Sequence, residues 1–175
     1  VLTAGPTDRV PQASLSVRSQ TESEILVKQA LAECEQLVSL LEPIMATDAA
    51  LDQVAPLTQA QKASLRLRRI ADRLAERKEP AGVDFQRRLQ AFAGPIATRV
   101  KAVRQLPKIA PIIEKQNEKL EDLARKHTKQ LKTLGELYRD AKYDQCELQL
   151  LPLIDELEAM SLWCDDEVVS KRLKP

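Results

Sequence analysis

Apolar residues recur along this chain at steps of three and four, a spacing that places them on one face of successive amphipathic helices. Leu26, Ala30, Cys34, Leu37, Val38 and Leu41 mark the inner face of a first helix. Thr21 and Glu24 precede that face at capping-box spacing. There a hydroxyl and a carboxylate each satisfy a backbone N–H that has no helical partner, so a start at Thr21 is predicted. Pro43 lacks the N–H that a helix interior needs and predicts an end or a kink close by.

A brief helical turn is expected over 48–54, closed by Pro56. A second long helix is predicted over 58–79, with Thr58 and Gln61 again at capping-box spacing. Its apolar stripe is Ala60, Ala63, Leu67, Ile70 and Leu74, and Pro80, Ala81 and Gly82 form the break. The third helix, 84–106, carries Phe85, Leu89, Phe92, Ile96, Val100 and Val103. Gly94 and Pro95 should bend it without ending it, because the period continues in phase on both sides.

The longest uninterrupted segment is 111–140. Ile113, Leu120, His127 and Leu134 fall at steps of seven there, with Leu123 and Leu137 between them and Gln116 and Gln130 weakening the seam. Glu121 with Arg125 and Asp122 with Lys126 are expected i,i+4 ion pairs. A last long helix over 144–163 carries Cys146, Leu150, Leu153, Ile154, Leu157 and Met160, kinked at Pro152, and Asp165 caps a final turn through Leu173. The predicted fold is all-α, an elongated bundle of four to five long helices with coiled-coil-like packing over 21–175. Residues 1–20, with Gly5, Pro6 and Pro11 and no apolar period, read as a flexible arm.

Composition sharpens this picture. The chain has only 4 glycines and 3% aromatic residues, which disfavours a β-sandwich or barrel built from short aromatic and β-branched strands with glycine turns. Its 175 residues suffice for one core. The three cysteines, Cys34, Cys146 and Cys164, are odd in number and widely spaced, which argues for a reducing, intracellular and cytoplasmic setting. No apolar run reaches the roughly 18 residues of a membrane span. The first residue is Val1, so a processed chain or a fragment is expected.

The formal net charge is +1, yet charge is strongly segregated. Segment 62–108 holds thirteen cations against four carboxylates, a net of +9. Its flanks are acidic, with one cation against seven carboxylates over 21–55 and two against ten over 136–167. Within the basic segment Lys62, Arg66, Arg69, Arg73 and Arg77 are spaced by four, three, four and four, forming a stripe beside the apolar face of the second helix. One reading makes the stripe a docking site for an acidic protein partner, whose carboxylates suit the planar arginine fork. The other makes it a solvated face paired with the acidic helices of the same bundle. Nucleic acid or an anionic membrane surface is a weaker expectation, since no aromatic residue interleaves with the stripe for base stacking or membrane anchoring.

The local chemistry of the common catalytic motifs is missing: no phosphate-binding glycine loop, nucleophile elbow or H-E-x-x-H helix occurs. His127 is the lone imidazole and reads as a polar seam residue whose protonation would loosen the packing, rather than as a general base. Cys146 and Cys164 read as core thiols, Asp165, Asp166 and Glu167 as a helix start, and Trp163 as a packed side chain. The sequence therefore predicts no cofactor, no metal and no catalytic residue. It points to a non-enzymatic scaffold, adaptor or structural subunit that binds other proteins through helical faces and the basic stripe, with electrostatic nucleic-acid or anionic-lipid binding through 62–77 as the alternative.

Overall fold

A computed structural model describes the backbone of residues 12–173 and the side chains of 21–171 other than 128, 129 and 131. The elements are α1 (Gln12–Met45), a 3-10 turn (Leu51–Gln53), α2 (Val54–Glu76), α3 (Pro80–Arg104), α4 (Ala110–Arg139), α5 (Tyr143–Ser161) and α6 (Asp166–Leu173). No strand occurs among the described residues. The all-α expectation holds, with five helices of 19 to 34 residues and a sixth of 8 where four to five long helices were expected.

Helix starts differ most from the sequence expectation. α1 begins at Gln12, so residues 12–20 of the expected arm are helical, while 1–11 lie outside the described residues. Thr21 and Glu24 are thus inside a helix, and the buried Ser23 between them donates its hydroxyl to Glu79 Oε1 at 2.9 Å, tying α1 to the start of α3. α2 begins at Val54 directly after the 3-10 turn. Pro56 falls in its first turn, where a missing N–H costs nothing because that group has no helical acceptor. Thr58 is not a cap; its hydroxyl donates back to the Val54 carbonyl at 2.7 Å. α3 starts at Pro80 and runs unbroken through Gly94 and Pro95, as its continuous period predicted.

The turn between α2 and α3 depends on two backbone facts. Lys78 has φ 61°, and the bonds Lys78 N–H to Ala75 O and Glu79 N–H to Leu74 O, both 2.9 Å, close a Schellman motif around it. A lysine there carries the left-handed strain that glycine would escape. Gly82 sits one turn further on, where an added Cβ would lie 2.5 Å from the Ala75 backbone nitrogen. The two substitutions should therefore have opposite signs. Lys78→Gly is expected to raise unfolding free energy by about 1 kcal/mol, and Gly82→Ala to lower it by about 1–3 kcal/mol through overpacking. Urea unfolding of both variants reads the difference, and two shifts of the same sign would refute it.

α2 is the hub. It packs along both α1 and α3 and, on a third side, against α5. The main core joins Leu37, Leu41 and Ala30 of α1, Leu57, Leu67 and Leu74 of α2, and Phe85, Ile96 and Val103 of α3, and it is completed by Trp163 from beyond α5. A second, smaller core holds Leu120, Met160 and Cys164, flanked by Leu123, Leu157, Val168 and Val169. Leu120 and Leu123 of the α4 seam thus pack against α5 and α6, while Ile113 packs on the main core. His127 is buried in that seam with Nδ1 2.7 Å from Gln130 Oε1 and Nε2 without a protein partner. α5 departs from its expected stripe: Leu150, Leu153, Ile154 and Leu157 are half-buried, while Asp155 is buried.

Candidate functional site

At about 100° per residue the five stripe cations span an arc of about 80° on α2, with Arg69, Lys62 and Arg73 toward one edge and Arg66 and Arg77 toward the other. That division decides their partners. Arg66 donates Nε and Nη2 to the Glu33 carboxylate of α1 at 2.7 and 2.9 Å and reaches Gln36 Oε1 at 3.2 Å. Those bonds to Glu33 hold the guanidinium above its ordinary pKa, against the opposing effect of burial. Arg77 meets Glu22 of α1 at 2.5 Å. On the other edge Arg69 is bidentate to Asp155 of α5, both contacts at 2.5 Å, and Arg73 pairs with Glu147 of α5.

Four of the five stripe residues therefore bridge α2 to the two acidic segments that flank it in the sequence. Arg66 and Arg69 spend two donors each on these carboxylates, whereas Arg73 and Arg77, 49% and 40% exposed, each donate through one Nη alone. Lys62 is the exception: among the described residues it has no ion pair, and it lines an open cleft. Further cations of the basic segment satisfy backbone carbonyls at helix ends, where the dipole favours positive charge. Arg99 donates to Thr47 O at 2.9 Å just beyond α1, and Arg104 to Leu162 O at 2.5 Å and Cys164 O at 3.1 Å just beyond α5.

Several concave surfaces lie among the described residues, one of about 540 Å³ beside Arg73 and Arg77 among them, and two bear on function. Between α1 and α3, which touch far less than either touches α2, runs a groove of about 570 Å³. Cys34 and Phe92 lie in it, Leu31 and Val38 border it, and Glu35, Glu42 and Arg88 supply its charge. Leu31 is 41% exposed, Val38 49% and Met45 45%, three large apolar residues at steps of seven along the outer side of α1. Val38, expected on the core face, belongs instead to this outward row. The repeat of seven was present in the sequence, but the stronger inner stripe of the same helix masked it.

The second surface is a cleft of about 530 Å³ between α2 and the α4–α5 hairpin. Its apolar side includes Val54, Ala55, Leu123 and Met160, and Lys62, Lys119 and Lys126 stand around it with Asp122 and Glu156. Asp122 was expected to pair with Lys126; it lies 3.8 Å from Arg125 instead, and Arg125 also reaches Glu121 at 3.9 Å.

Two cysteines, Trp163 and Asp165 complete the candidates read from the sequence. Cys34 and Cys164 are buried thiols whose pKa values burial pushes up; Arg88 partly offsets this at Cys34, and at Cys164 the Asp165 charge adds to it while Arg104 opposes. Trp163 is packed in the core and donates Nε1–H to Thr58 Oγ1 at 2.8 Å. Asp165 is joined reciprocally to Asn117 of α4, its carboxylate accepting at 2.8 Å and its backbone N–H donating at 3.0 Å. Among the described residues no group of three metal-ligating side chains converges, and no helix is long and apolar enough to cross a membrane. In comparisons with known proteins, no family model, no curated protein and no solved structure matches the chain.

Proposed function

We propose that this protein is a non-enzymatic helical scaffold or adaptor that docks an amphipathic helix of a partner protein in the groove between α1 and α3. The observation that carries this reading is the row Leu31, Val38 and Met45, exposed at seven-residue steps beside an apolar groove. A helix leaves such a row uncovered at a cost in solubility, and a partner helix with apolar residues at three- and four-residue steps covers it. The row spans 15 residues from Leu31 to Met45, about 21 Å of helix, so the incoming helix needs about four turns. Its charge is set by the rim. Lysines or arginines suit the edge that lies along Glu35 and Glu42, and a carboxylate suits the edge at Arg88.

The stripe serves this reading indirectly. By pairing with Glu33 and Glu22, Arg66 and Arg77 hold α1 in the position that leaves its outer row free, while Arg69 and Arg73 hold α5. The test starts from the native protein purified with its companions, each identified and purified separately. Titration against Leu31→Glu/Val38→Glu should show affinity lowered at least a hundredfold, because each burial contributes about 2 kcal/mol and a buried charge reverses it. The melting temperature should stay unchanged, since both side chains are exposed. Equal affinity of the variant, or a native protein that purifies without any companion, would refute the groove.

A further inference from the structure

We infer that the cleft between α2 and the α4–α5 hairpin binds a small anionic amphiphile, a carboxylate or phosphate head on an apolar body. The inference is independent of the α1–α3 groove. α4 packs on α5 and α6 and does not close onto α2, and the space left between them is about 530 Å³. That is the size of a small-molecule site rather than of a residual packing gap. Val54, Ala55, Leu123 and Met160 present an apolar side, and the flexible Met160 thioether adapts to the shape of what it meets.

The charge around this surface specifies the head group. Lys62, Lys119 and Lys126 reach the cleft from two helices, and among the described residues none is within ion-pair distance of a carboxylate. The contrast with the rest of the stripe is direct: Arg66, Arg69, Arg73 and Arg77 all found carboxylates, and Lys62 on the same face did not. Asp122 and Glu156 also line the cleft, Asp122 3.8 Å from Arg125 outside the lining, so ammonium groups outnumber carboxylates three to two around the apolar surface. Three like charges around an apolar surface are relieved by an anion that brings its own apolar portion.

The structure also supplies a reporter. Thr58 lines the cleft and accepts the indole N–H of Trp163, the one tryptophan of the chain, at 2.8 Å. Decanoate and decyl phosphate, both below their micellar concentrations, are titrated by calorimetry and by Trp163 fluorescence, with decanol and decyltrimethylammonium as uncharged and cationic controls. Saturable binding of one or both anions with a change in Trp163 emission is expected, and the stronger of the two identifies the head group. Lys62→Gln/Lys119→Gln/Lys126→Gln should weaken it at least tenfold, and Ala55→Phe, which fills the cleft from an exposed position, should do the same, each with an unchanged melting temperature. Decanol binding as tightly as decanoate, undiminished binding by the triple variant, or affinity for phosphatidylglycerol vesicles without affinity for either free anion would overturn the assignment.

Discussion

Replacing Arg69 with methionine is expected to lower the unfolding free energy by about 3–5 kcal/mol, the usual loss when one partner of a buried ion pair is removed. Asp155 explains the size. Its side chain is 8% exposed and receives both of its charged contacts from Arg69, at 2.5 Å each. Without the guanidinium the carboxylate stays in the α2–α5 seam with its solvation stripped and its partner gone. Arg69→Lys should recover less than half of the loss, because one ammonium cannot supply the planar two-point contact. Arg69→Met with Asp155→Leu should return to within about 1 kcal/mol of the native protein, since apolar packing replaces a buried pair well. Arg73→Met provides the calibration. Arg73 and Glu147 are each 49% exposed, so that pair should contribute under about 1 kcal/mol. Urea unfolding of the four variants decides the matter, and equal losses for Arg69→Met and Arg73→Met would show that the seam does not rest on Asp155.

Trp163→Ala should be as damaging, at about 3–5 kcal/mol, because it empties the largest fully buried side-chain position of the protein. Trp163 is 1% exposed and packs in the main core of α1, α2 and α3, although it follows α5 in the chain. It therefore joins the α4–α6 layer to the three-helix unit. Trp163→Phe keeps much of the apolar volume and loses the N–H to Thr58, so a smaller loss of about 1–2 kcal/mol is expected. Hydrogen exchange distinguishes joining from filling. In Trp163→Ala the amides of α4, α5 and α6 should lose protection before those of α1, α2 and α3, as a sub-global opening. A uniform loss across all six helices would mean that the two layers unfold as one.

The helices were legible because burial of an amphipathic face is a local code. Leu67, Leu74, Ile96 and Val103 are buried where their three- and four-residue spacing placed them. Starts were less legible. Thr21 and Thr58 carry the capping pattern, but a hydroxyl also bonds within a helix or to a neighbouring one, as Ser23 does with Glu79 and Thr58 with Val54 and Trp163. Pro56 and Pro80 were over-read as boundaries, since both occupy first turns, whereas Pro95 and Pro152 lie within continuous helices, where the unbroken period had placed them.

Among the site residues, the basic stripe was visible in full and its partners were not. Spacing along α2 makes Arg66, Arg69, Arg73 and Arg77 neighbours on one surface, and the charge segregation shows that carboxylates abound at both ends of the chain. Which carboxylate meets which arginine depends on a few tens of degrees around α2, which turn Arg66 and Arg77 to α1 and Arg69 and Arg73 to α5. The same rotation leaves Lys62 facing a cleft, and the packing of α1 on α2 leaves Leu31, Val38 and Met45 facing outward.

Read alone, the order of residues determined the all-α class, most of the long helices and their inner faces, because those follow from periodicity within single segments. The tertiary structure alone decided that four arginines of the stripe pair with carboxylates of α1 and α5, that Leu120 and Leu123 of α4 pack on α5 and α6, and that an outer row of α1 and a lysine-lined cleft stay open. The physical reason is range. A helix is specified by contacts three and four residues apart, whereas an ion pair such as Arg69 with Asp155 joins positions 86 residues apart and exists only after the helices have packed.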